Sequence, residues 1–190
     1  MKKKIQMGIY SLVAMFVLSA CGADKEEVNH ENMDMDSNTN SEESMDMNHA
    51  GSGEVPEGLK VEENPTFKVG SQVIIEADHM EGMNGAKATI VGAFNTTAYT
   101  VSYTPTTGGE RVANHKWVIH EELKGTNDET LEPGTEITLD ADHMEGMQGA
   151  TAEIDSAEKT TVYMIDYMPT NDGEKVTNHK WVTESELSAK

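Results

Sequence analysis

The sequence predicts an all-β fold: two tandem small barrels of the SH3 or KOW type, produced by an internal duplication and carried behind a disordered tether. Three observations support that expectation. The chain aligns on itself without a gap, 67–123 upon 131–187, with about half the positions identical and His79, Tyr99 and Trp117 falling on His143, Tyr163 and Trp181. Within each copy, short runs rich in β-branched and tyrosine residues alternate apolar with polar, and none sustains a helical period over ten residues. Each copy is also small, with room for a few short strands that must curl to hide their edges. A domain of that size gains from packing against its twin.

The elements follow in chain order. Residues 1–20 place three lysines, an apolar run over 9–18 and then small residues in the layout of a secretory signal, too short for a membrane span. The run ends on Leu18-Ser19-Ala20-Cys21, which resembles a bacterial lipobox. Cleavage is therefore expected before Cys21, the single cysteine of the chain, which would carry the lipid anchor. That cleavage takes away three lysines and no acid, moving the net charge from −20 to −23. So acidic a surface disfavours nucleic acid and anionic wall polymers and favours cations. Residues 21–65 are mostly Asp, Glu, Asn, Ser and Gly with few aliphatics, and are expected to form the tether.

Repeat domain 1 is expected over 66–124 and repeat domain 2 over 130–188, joined by KGTNDET. In each, SQVIIEA or TEITLDA reads as a first strand, AKATIVGAF or ATAEIDSAE begins a second, and AYTVSYTP or VYMIDYMP forms another. TGGE or NDGE supplies a turn, and RVANHKWVIHEEL or KVTNHKWVTESEL supplies a last strand and a helical turn.

Two motifs in each copy point to soft-metal chemistry. EADHMEGMNGA and DADHMEGMQGA put His79, Met80 and Met83, and again His143, Met144 and Met147, on a glycine-bearing turn. Thioether sulfur is soft and uncharged at every pH, so it selects Cu(I) over Zn(II), Mg(II) or Ca(II), and imidazole complements it. The same residues could equally fill the mouth of a barrel, with the histidine bonded into the turn. Asn-His-Lys-Trp follows at 114–117 and 178–181. On a strand, residues i and i+2 share a face about 7 Å apart. That would set His115 beside Trp117 and His179 beside Trp181, an imidazole ligand with an indole covering the ion. The competing use is a tryptophan that anchors the core with a histidine beside it.

The tether adds His30, Met33, Met35, Met45, Met47 and His49, an auxiliary collector of soft ions. The carboxylates Asp78, Glu81, Asp142 and Glu145 lack the oxygen spacing of a calcium loop. With no Ser-His-Asp order, phosphate loop or cysteine nucleophile, the chain is not read as an enzyme.

The duplicated pattern ADHMxGMxGAxA, TTxYxxxYxPT and VxNHKWVxxxEL, behind a lipobox and a Met/His-rich tether, resembles the YdhK family of Gram-positive lipoproteins, which includes the copper-resistance lipoprotein CopL. The resemblance spans nearly the whole mature chain. It implies a protein anchored by lipid at the extracytoplasmic face of the cell membrane, which binds copper there and works alongside a copper-exporting ATPase. The positions it carries over are His79, Met80, Met83 and His115 in one copy and His143, Met144, Met147 and His179 in the other. The chemistry is also similar to that of the periplasmic copper chaperone CusF. Cu(I) is the expected ion, and Ag(I) would compete for the same donors. The rival reading is a cell-envelope interaction module, in which Tyr and Trp line a groove for a peptide or partner and the methionines only pack.

Overall fold

The structure, a computed structural model, describes residues 51–190. Cys21, the signal segment and the tether residues His30, Met33, Met35, Met45, Met47 and His49 lie outside them.

Two long strands decide the architecture. β3 (Lys87–Tyr103) and β7 (Thr151–Met168) pair antiparallel from Lys87 opposite Met168 to Tyr103 opposite Ala152. At about 3.4 Å per residue each runs about 55 Å, beyond the 3–10 residues usual for a strand. Thr96 faces Thr160, its own counterpart in the other repeat, so the repeats are related by a pseudo-twofold axis through this pair. The register skips Val91 on β3 and its counterpart Asp155 on β7. Such bulges bend and twist a strand, which lets each one leave one half of the molecule and enter the other.

The sequence predicts separate strands on either side of Asn95-Thr96-Thr97. No turn occurs there. The stretch has no glycine or proline, and its β-branched threonines suit a pleated strand. β3 therefore cannot fold back on its own repeat. Its first half pairs with β2 (Gln72–Ile75) and its second with β4 (Val112–Ile119), while Lys60–Val61, β1, pairs at its middle. β7 pairs likewise with β6 (Glu136–Leu139) and β8 (Val176–Thr183).

Two five-stranded units result, in the order β9-β2-β3-β7-β8 and β5-β6-β7-β3-β4. β5 is Leu123–Lys124 and β9 is Leu187–Ala189. In each unit one 3₁₀ turn, His120–Glu122 or Glu184–Glu186, joins the two outermost strands and rolls the sheet toward closure.

The all-β fold and the duplication therefore stand, while the packing units cut across the repeats expected at 66–124 and 130–188. One core sets Val73, Ile75, Ala88 and Ile90 against Tyr163, Ile165, Tyr167 and Val182. The other sets Tyr99, Val101, Tyr103 and Val118 against Leu139, Ala152 and Ile154. A third cluster, with Phe94, Trp117, Ile119, Val162, Met164 and Trp181, seals the middle. Burying one such large side chain contributes about 1.5–3 kcal/mol. Because half of each core comes from the other repeat, neither repeat completes a core alone.

The expected tether also ends earlier than residue 65. Leu59 packs on the central cluster, Lys60 and Val61 pair with Asn95 and Phe94, and the Gly51 N–H donates to the Thr177 carbonyl at 2.9 Å. Leu59 interrupts the polar run and gives this end of it something to pack, while Val55 and Val61 stay exposed.

Candidate functional site

Each Asp-His-Met-Glu-Gly-Met turn leaves the first short strand of its repeat and re-enters a long strand. Gly82 and Gly146 hold it in shape with φ of 75° and 74°, values that favour glycine. Each is also pressed against the other repeat: a Cβ on Gly82 would lie 2.6 Å from Asn171 Oδ1, and one on Gly146 the same distance from Thr107 Oγ1. The turn then separates its two methionines. Met83 and Met147 are fully buried in the two cores, whereas Met80 and Met144 line a cleft.

That cleft has a volume of about 1200 Å³ and is walled by both repeats. His79, Met80, His115, His143, Met144 and His179 all line it. Of the eight expected metal positions it gathers six, leaving Met83 and Met147 in the hydrophobic cores. Trp117 and Trp181 do not line it. Both are buried in the central cluster, where Lys116 and Lys180 stand over their rings at 5.1 and 5.9 Å. The alternation expected for Asn-His-Lys-Trp fails because the register shifts between Tyr99 and Val101, placing Val118 and His115 opposite them. Lys116 and Trp117 bulge, and His115 and Trp117 serve different surroundings.

Exchange of the repeats also redraws the site inside the cleft. The expected neighbour of His115 is His79 of its own repeat. Its ring instead lies 6.3 Å from that of His143 and stands edge-on to Tyr103 at 6.0 Å. The Tyr103 hydroxyl points at Met144 Sδ, 3.9 Å away. His115, His143 and Met144 thus form one group drawn from both repeats. At the matching place in the other half, His179 stands edge-on to Tyr167 at 5.8 Å.

Two glutamates that no sequence motif singles out organise the histidines. His79 Nε2 lies 2.7 Å from Glu186 Oε1, and His143 Nε2 lies 2.7 Å from Glu122 Oε1. A carboxylate only accepts, so each Nε2 donates, and in the neutral ring it is Nδ1 that presents a lone pair. The second oxygen of each glutamate braces the fold. Glu186 Oε2 accepts from the Trp117 indole at 2.7 Å and the Thr183 backbone at 3.0 Å. Glu122 Oε2 accepts from the Trp181 indole and the Ile119 backbone, both at 3.1 Å. Burial by itself raises the Glu186 carboxyl pKa, but the hydrogen bonds from His79, the Thr183 backbone and Trp117 pull it down to about 2.

Three ring nitrogens in residues lining the cleft, His79 Nδ1, His143 Nδ1 and His115 Nε2, are buried with no hydrogen-bond partner among the described residues. Buried polar atoms are nearly always bonded, to protein or to ordered water, so these three nitrogens are the groups in the cleft that a water or an ion would meet. Burial lowers the His115 pKa to about 4, so at neutral pH its ring holds a free lone pair. A metal–nitrogen length of about 2 Å at each ring, added to the ring radii, separates two imidazole centroids on one ion by about 6 Å. The His115–His143 spacing fits that length. Among the described residues no group of three or more His, Cys, Asp and Glu side chains is placed to hold a metal ion. An ion held here would therefore take thioether sulfur as well as imidazole nitrogen.

A family model described as "Protein of unknown function (DUF1541)" matches residues 69–120 and again 133–184. The chain belongs to the DUF1541 family. The uncharacterized protein YdhK of Bacillus subtilis (strain 168) is 61% identical over 189 residues, 98% of this chain and 90% of that relative. A crystal structure of this DUF1541 protein from B. subtilis at 2.00 Å resolution is 67% identical, with a TM-score of 0.74 over 76% of this chain and 99% of that one. A solution NMR structure of the YdhK C-terminal domain is 69% identical, with a TM-score of 0.63 over 65% of this chain and 94% of that one.

Glu122 and Glu186 were traceable within the DUF1541 duplication itself. The residues just before them differ between copies, His120-Glu121 against Glu184-Ser185, while the Glu-Leu pair is kept. As part of a helical turn after the last strand, that retained glutamate carries no signal of its indole and imidazole partners.

Proposed function

We propose that the protein is an extracytoplasmic copper-binding lipoprotein that sequesters Cu(I) and contributes to copper resistance. The observation that carries this reading is the meeting, in one cleft, of three buried imidazole nitrogens without hydrogen-bond partners among the described residues and the thioethers of Met80 and Met144. Carboxylates bonded to the far nitrogen of two of those rings support it, because metal-binding histidines are ordinarily oriented in this way. The donors are soft and neutral, which selects Cu(I) and admits Ag(I).

In this reading Cys21 anchors the chain by lipid at the outer face of the membrane, and the Met- and His-bearing tether collects ions for the cleft. The strongly negative surface raises the local cation concentration. The protein acts by buffering: ions held outside do not enter the cytoplasm, and a copper-exporting ATPase returns those that do. The likeness to CopL falls within this proposal.

The test is an anaerobic Cu(I) titration of the mature chain against a competing chromophoric chelator, for wild type and for Met80→Leu with Met144→Leu. Tight binding that weakens in the double variant while its thermal melt is retained supports the proposal. Equal binding by both proteins rejects the cleft as the site, and no competition with the chelator rejects copper.

A further inference from the structure

The pseudo-twofold divides the cleft into matching halves, one with His115, His143 and Met144 and the other with His179, His79 and Met80. They are covered unequally. Residues 51–57 run along the cleft, with Gly51, Ser52, Glu54, Val55, Pro56 and Glu57 in its lining. A single segment cannot obey the twofold, and this one is fastened on the His179 side. Gly51 donates to the Thr177 carbonyl at 2.9 Å, and Asn178 Nδ2 donates to the Gly51 carbonyl at 3.2 Å. The approach is so close that a Cβ on Gly51 would lie 2.5 Å from the Asn178 carbonyl oxygen. At the other end Leu59 is packed on the central cluster.

Burial records the result. His179 is 8% exposed, whereas His115 is only half-buried. Thr177 and Asn178 are half-buried where their counterparts Ala113 and Asn114 are exposed.

We infer that residues 51–57 form a strap that makes the two halves of the cleft functionally unequal: the open half around His115, His143 and Met144 exchanges soft ions with solution, and the strapped half around His79, Met80 and His179 retains them. The inference rests on the copper reading. The strap limits access of solvent and competing ligands to an ion beneath it, and access is one of the levers by which surroundings tune a metal site. The arrangement suits a buffer, with a fast side that captures and a slow side that stores.

The experiment loads the mature chain with Ag(I), a soft ion that does not change oxidation state under the conditions, and strips it with excess chelator. Imidazole resonances of the two halves are followed by NMR. In the wild type the strapped half should lose its ion more slowly by about tenfold or more, within the range that changes around a site produce. Two variants release the strap from opposite sides of one contact. Gly51→Val drives it off by collision, and Asn178→Gly removes the amide that holds it while keeping the φ of 53° accessible. Either should bring the slow half to the rate of the open one. Asn114→Gly, the same change at the unstrapped counterpart with its φ of 50°, should alter neither rate. Equal rates in the wild type, or a slow phase that survives both strap variants, overturns the inference and leaves the copper reading standing. Ag(I) that shifts no imidazole resonance in either half defeats both.

Discussion

Replacing Glu122 by glutamine asks whether this carboxylate sets the chemistry of the cleft or only braces the fold. It is 3% exposed and accepts three N–H groups, from His143 Nε2 at 2.7 Å and from the Trp181 indole and Ile119 backbone at 3.1 Å. Glutamine has the same shape with one acceptor and one donor. With its oxygen kept on the side of the indole and backbone donors, its NH₂ faces His143 Nε2. Two donors cannot bond, so the imidazole must shift its proton to Nδ1, the nitrogen otherwise free to bind an ion. Loss of such an orienting partner lowers metal affinity by about 10–100-fold. Exchanging charge-assisted for neutral hydrogen bonds should also cost about 1–3 kcal/mol of stability, which lowers the melting temperature by about 2–10 °C for a protein of this size. Anaerobic Cu(I) competition and a thermal melt read the two effects separately. Affinity within about twofold of wild type, alongside the expected stability loss, would refute the tautomer argument and reduce Glu122 to a brace for Trp181.

Further outcomes follow from the same geometry. Met144→Leu should weaken Ag(I) uptake and leave the melt unchanged, while Met147→Leu, in a fully buried core site, should cost under about 1.5 kcal/mol and leave uptake unchanged; equal effects on uptake would contradict the division of labour between them. The metal-free protein should lose stability in acid. The folded pKa of His115, about 4, lies below its ordinary 6.5, so the unfolded chain binds the proton first and stability falls as pH drops from 6.5 toward 4. Glu186, at about 2 against an ordinary 4.5, contributes stability above 4.5 that is lost as pH falls toward 2. Denaturant melts across this range check the sign, and stability that rose on acidification would contradict it. Finally, repeat 1 alone, residues 66–124, should be unfolded or should dimerise through the same exchange, because half of each core belongs to the other repeat. Light scattering with circular dichroism decides this, and a folded monomer would contradict the exchanged architecture.

Much of the protein is legible in its sequence. The duplication, the strand content and the pairing of soft thioethers with imidazoles are local facts: identity at matched positions, β-branched alternation and side-chain chemistry. What stays hidden depends on contacts distant along the chain. At Asn95-Thr96-Thr97 the local signals permit a strand or a connection, and only the partner strand, with Thr160 opposite Thr96, decides for the strand. That choice determines which histidines meet. Because the chain runs straight on, His115 lies against His143 of the other repeat, their rings 6.3 Å apart.

The two methionines of each turn illustrate the same limit. Met80 and Met83 have one chemistry and nearly one position in the sequence, yet one lines the cleft and the other fills a core. The turn that parts them is packed closely on the other repeat at Gly82. By itself, then, the sequence determined the strand content, the duplication and the kind of donor offered, because these follow from residue type and short-range period. Tertiary structure alone decided the exchange of halves, the glutamate–histidine–tryptophan braces and the uneven cover of the cleft, because each joins residues distant along the chain through packing that no local signal encodes.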